Sequence, residues 1–248
     1  MKTPVDVRKH AGTVSAVVFD FYGTLARATR WLSIDVLLAG HGYELPKAVH
    51  DRWWNDGIDG IEHVEPSQSR EAYEAWQHDR LLGMLAETDV HPGEYEEILE
   101  QLRRGNETRL LEAYPEVPGV LERLQGRNVT LAVCSNWGWD LGEALAEVGL
   151  GDEFQVVVSS AWAGARKPHP RIFEHTLGQL GIGAAEAVFV GDTWGPDVIG
   201  PAALGMTPLY LRRRDHWADQ GAPADPGSEG VRVAADLTPI LELVEAAA

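Results

Sequence analysis

Four short runs of β-branched and aliphatic residues, each leading into a polar cluster, constrain the fold of this chain more than any other feature. Val14–Phe19 leads into Asp20-Phe21-Tyr22-Gly23-Thr24, and Val129–Val133 into Cys134-Ser135-Asn136-Trp137. Gln155–Val158 is followed, after a loop, by Arg166-Lys167-Pro168-His169-Pro170. Ala187–Val190 leads into Gly191-Asp192-Thr193-Trp194-Gly195-Pro196-Asp197, and Pro208–Leu211 is a fifth run of the same kind. Short apolar runs closed by turn residues read as strands buried on both faces, the habit of a parallel sheet. Helical patterns at Val117–Leu124, Leu141–Val148 and Pro170–Leu180 lie between them. The alternation predicts an α/β fold, a doubly wound, Rossmann-like parallel sheet. Such sheets bind ligands at the carboxyl ends of their strands, where the strand order switches.

Residues 28–111 break this rhythm. Their helical stretches, Ser69–Glu87 and Gly93–Glu112, come with no convincing strand, and Asn55–Gly60 has turn chemistry. At 248 residues the chain holds a large domain or a core with an insert. The expected division is a catalytic α/β core of residues 1–27 and 112–248 and a mostly helical insert of residues 28–111. Ala222–Glu229 reads as a flexible loop.

Composition narrows the function. A formal charge of −17 argues against nucleic acid, which needs a basic surface. It does not exclude a small phosphate ligand, which feels its local pocket and any bound cation. No apolar run reaches the ~20 residues of a membrane span, and Met1–Asp6 lacks the apolar stretch of a secretory leader. A single cysteine, Cys134, excludes an internal disulfide and fits a reducing, cytoplasmic setting. After Lys47 the only lysine is Lys167, which singles that residue out.

The polar clusters suggest a division of labour. Asp20, rigid and presented at a strand end, is placed as a covalent nucleophile. The Ser135 hydroxyl, with Asn136 and Thr24, suits the oxygens of a transferring group. Lys167 offsets the negative charge of nucleophile and substrate. Asp192 and Asp197, with Asp20 and the main-chain carbonyl of Tyr22, suit a hard cation such as Mg²⁺. Cys134 reads as packing, and the scattered histidines, including His63 and His169, show no metal-ligand spacing. Trp137, Trp139, Trp162 and Trp194 flank three of the clusters and suggest aromatic walls or packing against the insert.

A DxxGT start, a Ser-Asn turn, a lysine before proline and a GDxxxxD stretch, in that order, resemble the haloacid dehalogenase-like hydrolases. The resemblance covers the core, about two thirds of the chain. It implies a hydrolase working through an aspartyl intermediate on Asp20, with Mg²⁺ as cofactor and a small phosphate ester as substrate. It also implies that the insert is a helical cap. One position departs from the pattern. Tyr22 stands where the family's phosphatases carry a second aspartate as general acid, a role worth ~10²–10⁴-fold in rate, and a phenol titrates near ~10. The family's 2-haloacid dehalogenases carry tyrosine there, so a carbon–halogen hydrolase is the first alternative, with Arg27 and Arg30 as holders of halide or carboxylate. A non-catalytic, metabolite-binding member of the family is the second. The fourth cluster favours the phosphatase, because a metal-free anion site has no use for Asp192 beside Asp20.

Overall fold

The computed structural model describes residues 13–54, 58–213 and 221–246. Met1–Asp6 and the Asn55–Gly57 part of the expected turn lie outside them. The strands are β1 (Ala16–Phe19), β2 (Ala26–Arg30), β3 (Leu110–Ala113), β4 (Thr130–Ser135), β5 (Val156–Ser159), β6 (Ala187–Gly191), β7 (Thr207–Leu211) and β8 (Arg232–Ala234). Six form one parallel sheet in the order β5-β4-β1-β6-β7-β8. From β1 the chain adds β4 and β5 on one side, then crosses to β6, β7 and β8 on the other. The reversal puts the switch point at the carboxyl end of β1.

The helices are α1 (Ile34–Gly40), α2 (Lys47–Trp54), α3 (Arg70–Leu85), α4 (Tyr95–Glu107), α5 (Val117–Gln125), α6 (Leu141–Glu147), α7 (Ser160–Ala163), α8 (Pro170–Leu180), α9 (Gly200–Leu204) and α10 (Ile240–Ala246). Leu121, Leu145 and Leu241 from α5, α6 and α10 bury one face of the sheet with Val17 and Phe19. Ile172 and Phe173 of α8 bury the other with Val18 and Phe189. Helix α8 spans the residues its pattern predicts, because Pro170 opens it, His169 Nδ1 accepts from the Arg171 amide, and Gly181 closes it at φ 68°.

Helices α1–α4 have a core of their own, with Ile34, Leu38, Met84, Leu85, Ile98 and Leu102 at its centre. They are inserted after the first strand of the sheet. The expectation of no strand between residues 28 and 111 is corrected at its edges. Strands β2 and β3 pair antiparallel, with Ala26 opposite Ala113 and Arg27 opposite Glu112. Their polar, half-exposed sequences carry no strong strand signal alone, and each needs the other as a partner. Two further differences fall near the end of the chain. Within Ala222–Glu229, Pro226–Glu229 forms a 3₁₀ turn capped by Asp225, with Pro226 buried. It leads into β8, an edge strand too short to show as a pattern.

Candidate active site

Register brings the clusters together. Phe19 lies opposite Val133 of β4 and Val190 of β6, so Asp20, one residue on, is flanked by the ends of both neighbouring strands. Its amide donates to the Val190 carbonyl at 2.8 Å. Asp20 Oδ1 accepts from Ser135 Oγ at 2.9 Å and from Lys167 Nζ at 2.6 Å. Lys167 Nζ also donates to Asp197 Oδ1 at 2.6 Å. Asp20, Asp192 and Asp197 are all buried, and each offers an oxygen within 4.8 Å of the others.

Asp197 lies in a π-helical turn, Trp194–Ile199, that starts just past β6. This widened turn swings its carboxylate back beneath the strand end, a use to which such turns are often put. A Cβ on Gly191 would fall inside the Asp197 side chain, so only glycine admits the approach. Asp197 Oδ2 accepts from the Thr193 amide at 3.0 Å, which commits both of its oxygens.

Burial opposes the charge on Lys167, but Asp197 and Asp20 outweigh it and raise its pKa. Burial also raises the pKa of Asp197, with Asp20 and Asp192 adding to the rise against the pull of Lys167. The two directions conflict, one favouring an ion pair and the other a neutral acid. Asp197 has a donor on each oxygen and no room for a proton, so the ion pair stands. The upward push on Asp197 then reflects a surplus of negative charge, three carboxylates against one ammonium. Hard oxygen donors carrying that surplus fit a divalent cation.

The other expected residues take varied places. Thr24 is fully buried, and its hydroxyl has no hydrogen-bond partner among the described residues. Asn136, expected to bind the transferring group, clamps Lys167 instead. Its Oδ1 accepts from the Lys167 amide at 2.7 Å and its Nδ2 donates to the Lys167 carbonyl at 3.0 Å. The Tyr22 ring packs edge-on to Trp31 and is tilted against Trp137, at 5.2 and 6.3 Å between centroids. Burial raises its pKa against a hydrogen bond with the Ala28 backbone, and nearby Asp192 adds to the rise, so Tyr22 stays a phenol. Burial pushes the Cys134 thiol up to about 12, as befits packing. Arg27 and Arg30 lie on the ribbon of β2 and β3, Arg27 paired with Glu112 and Arg30 donating to the Thr108 carbonyl.

Arg213 escaped the sequence reading. It lies just past β7, buried, with Nε donating to the Gly23 carbonyl at 3.1 Å and Nη2 to that of Thr24 at 2.7 Å. Its guanidinium stacks 3.6 Å over Tyr114 and pairs with Glu116. The usable signal was a cation just after a core strand, as Asp20 and Asp192 follow β1 and β6.

The helical segment meets the core through residues 58–64. Gly60 N donates to the Lys167 carbonyl, Arg166 N to that of Ile61, and His63 N to that of Gly164, at 3.2, 3.0 and 2.7 Å. Gly164, at φ 74°, lets Val64 pack against its backbone. A hollow of about 320 Å³ lined by Glu62, His63, Val64, Glu65, Pro66 and Trp76 lies alongside and reaches none of the three aspartates.

A haloacid dehalogenase-like hydrolase family model matches residues 14–205. The chain is 34% identical over 144 residues to a phosphoserine phosphatase from Thermus thermophilus, a match covering 57% of this chain and 54% of that protein. The chain spans about half the length of curated relatives of this kind. Among solved structures, a "predicted phosphoglycolate phosphatase" from Haemophilus somnus superposes with a TM-score of 0.66 at 20% identity, covering 93% of this chain and 97% of the other. An L-2-haloacid dehalogenase superposes with a TM-score of 0.58 at 20% identity, covering 94% and 99%. At such identities these two likenesses speak for the fold alone.

Proposed function

The chain belongs to the haloacid dehalogenase-like hydrolases, and from that premise we propose that it is a Mg²⁺-dependent phosphatase of small phosphate monoesters. The observation that carries this reading is the buried group Asp20, Asp192 and Asp197 with the single ammonium of Lys167 among them. The phosphatase names of curated relatives support it. Asp20 and Asp192, with the Tyr22 carbonyl, would hold the Mg²⁺. Asp197, whose oxygens are both committed, keeps Lys167 aimed at Asp20 and stands behind the ligands. When bound, the cation offsets the charge that builds on the phosphoryl oxygens.

Lys167 and Ser135 fix Asp20 through Oδ1 and hold it toward the substrate. A carboxylate oxygen of Asp20 forms a bond to phosphorus as the bond from phosphorus to the leaving oxygen breaks. Water then attacks the aspartyl-phosphate, releasing inorganic phosphate and restoring the carboxylate. Tyr22 is held as a phenol and is a poor acid at neutral pH. The leaving oxygen therefore departs without a strong proton donor, and aryl and acyl phosphates turn over faster than simple alkyl esters. Residues 28–111 act as a cap that closes over the strand ends and excludes water.

Release of phosphate from p-nitrophenyl phosphate, with Mg²⁺ or with chelator, tests this reading. Loss of activity in chelator and in Asp20→Asn is the expected result. Activity that survives chelation rejects the cation, and activity that survives Asp20→Asn rejects the nucleophile. The carbon–halogen alternative keeps Tyr22 in its favour, while its expected holders are engaged elsewhere, Arg27 with Glu112 and Arg30 with the Thr108 carbonyl. Chloride release from 2-chloropropionate in chelator would restore it.

A further inference from the structure

Beside the aspartates lies a second charged group that this reaction does not use. Arg166 immediately precedes Lys167, yet the two differ completely in company. Lys167 binds two carboxylates, whereas the Arg166 guanidinium makes no ion pair among the described residues, and its Nε is buried without a hydrogen-bond partner. Arg80, from α3, is half-buried near it and likewise makes no ion pair among the described residues. Its Nε donates to Gln77 Oε1 at 2.9 Å, its Nη1 donates to the Trp53 carbonyl, and its guanidinium stands 6.0 Å from the Trp76 ring. Gln77 in turn donates to the Tyr73 hydroxyl at 2.9 Å, which ties one face of α3 into a fixed wall.

Two unpaired guanidinium groups are out of place in a chain with 38 acidic and 21 basic side chains. Burial lowers the pKa of both, and the charge of Arg166 lowers Arg80 further, to about 10. Tyr73, Asp59 and Asp20 act on Arg166 in the opposite sense. Its backbone is held at the site's edge, because its amide donates to the Ile61 carbonyl at 3.0 Å and the next residue, Lys167, is clamped by Asn136 and reaches Asp20. His63, stacked on Trp76 at 4.8 Å, feels both arginines and is held neutral, so it brings no compensating charge. Desolvated, mutually repelling guanidiniums are stabilised by an anion that bridges them, and the planar fork suits a carboxylate or phosphate.

We propose that Arg166 and Arg80 form an anion-binding subsite beside Asp20, and that the substrate is a phosphate monoester whose departing part carries a second anionic group, a carboxylate or a phosphate. The substrate class rests on the phosphatase reading; the subsite is tested without turnover.

Full-length Asp20→Asn protein with Mg²⁺ is titrated calorimetrically with two matched pairs. These are 3-phosphoglycerate against glycerol 3-phosphate, and propane-1,3-diol bisphosphate against 3-hydroxypropyl phosphate. The doubly anionic partner of at least one pair binds about ten- to a hundredfold tighter, the range of charge-assisted hydrogen bonds. The pair that shows the preference distinguishes carboxylate from phosphate. Adding R166Q or R80Q, each checked for a retained melting transition, removes most of that preference. Equal affinity within both pairs overturns the subsite. A parallel loss for both partners in the variants also overturns it, because the arginines would then hold the transferring phosphate. If wild-type protein releases no phosphate from any ester while the binding preference persists, the reaction is misread and the subsite stands.

Discussion

The strand ends and the pair Arg166 and Arg80 treat buried charge in opposite ways. At the strand ends Asp20 and Asp197 are held by fixed donors, since Lys167 bridges them, Ser135 donates to Asp20 and the Thr193 amide closes Asp197. The surplus that Asp192 adds is what a divalent cation would balance. Arg80 on α3 and Arg166 on the loop before Lys167, by contrast, have no ion pair among the described residues. The difference follows from what each region must do. Groups that meet the same reacting atoms in every cycle need to be held before substrate arrives, and preorganised charge is the main source of catalysis. Groups that recognise the variable part of a substrate must stay open to it, and an internal salt bridge would compete with the ligand.

The largest test of this contrast is at the nucleophile. Asp20→Asn keeps shape and most hydrogen bonds, yet turnover should fall at least ~10³-fold, a loss of about 4 kcal/mol in transition-state stabilisation. Phosphate release in single-turnover conditions checks it. A smaller fall would mean that Asp20 is not the group attacked through. Lys167→Met comes next. It strips the ammonium from two buried carboxylates and should cost about 3–5 kcal/mol in denaturant unfolding, with recovery as Mg²⁺ is added. If stability is unchanged, the strand-end charges are not mutually dependent. Leu38→Ala belongs to the separate core of α1–α4, where it is fully buried, and should cost about 2–4 kcal/mol. Hydrogen exchange should show that loss in α1–α4 while the strands keep their protection. An equal loss of protection throughout would mean that insert and sheet unfold together.

How much of this was legible beforehand divides along the same line. Strand ends are legible because parallel strands announce themselves as apolar runs and the residue after each run has one place to go. Asp20, Ser135 and Asp192 were picked out that way, and Lys167 by its scarcity, and the structure brings the four together. Asn136 was picked out too, but its hold on Lys167 was not legible, since nothing in a Ser-Asn turn says that its side chain reaches that backbone. Arg213 obeyed the same rule as the others but sat before the charged stretch Arg214-Asp215-His216, which reads as solvated surface. The ribbon of β2 and β3 escaped because its stability lies in a pairing across more than 80 residues. The wall was least legible. Arg80 lies on an ordinary amphipathic helix, and what sets it apart is that it makes no ion pair among the described residues, a property of packing that periodicity does not carry.

The smallest effect reads the wall's charge through a reporter already in place. His63 is buried, and its pKa is lowered to about 4, chiefly by burial and then by Arg166 and Arg80. Its Nδ1 lies 2.8 Å from Ser67 Oγ, which keeps the neutral ring oriented. In the unfolded chain the same imidazole takes up a proton near its ordinary value of 6.5. As pH falls below 6.5 the unfolded state therefore gains protons that the folded state refuses, and stability drains away until the folded ring also protonates near pH 4. After allowance for residual solvent screening the contribution is roughly 1–2 kcal/mol. Melting temperature followed from pH 7 to pH 4 should therefore fall more steeply in the wild type than in His63→Phe, which cannot titrate. Carboxylates elsewhere contribute equally to both curves and cancel in the difference. R166Q should raise the pKa of His63 by removing a neighbouring positive charge, and this can be followed by NMR of the ring protons. An unmoved His63 in that variant would place Arg166 too far away to act on this wall, and with it would go the claim that the wall's positive charge is gathered in one place.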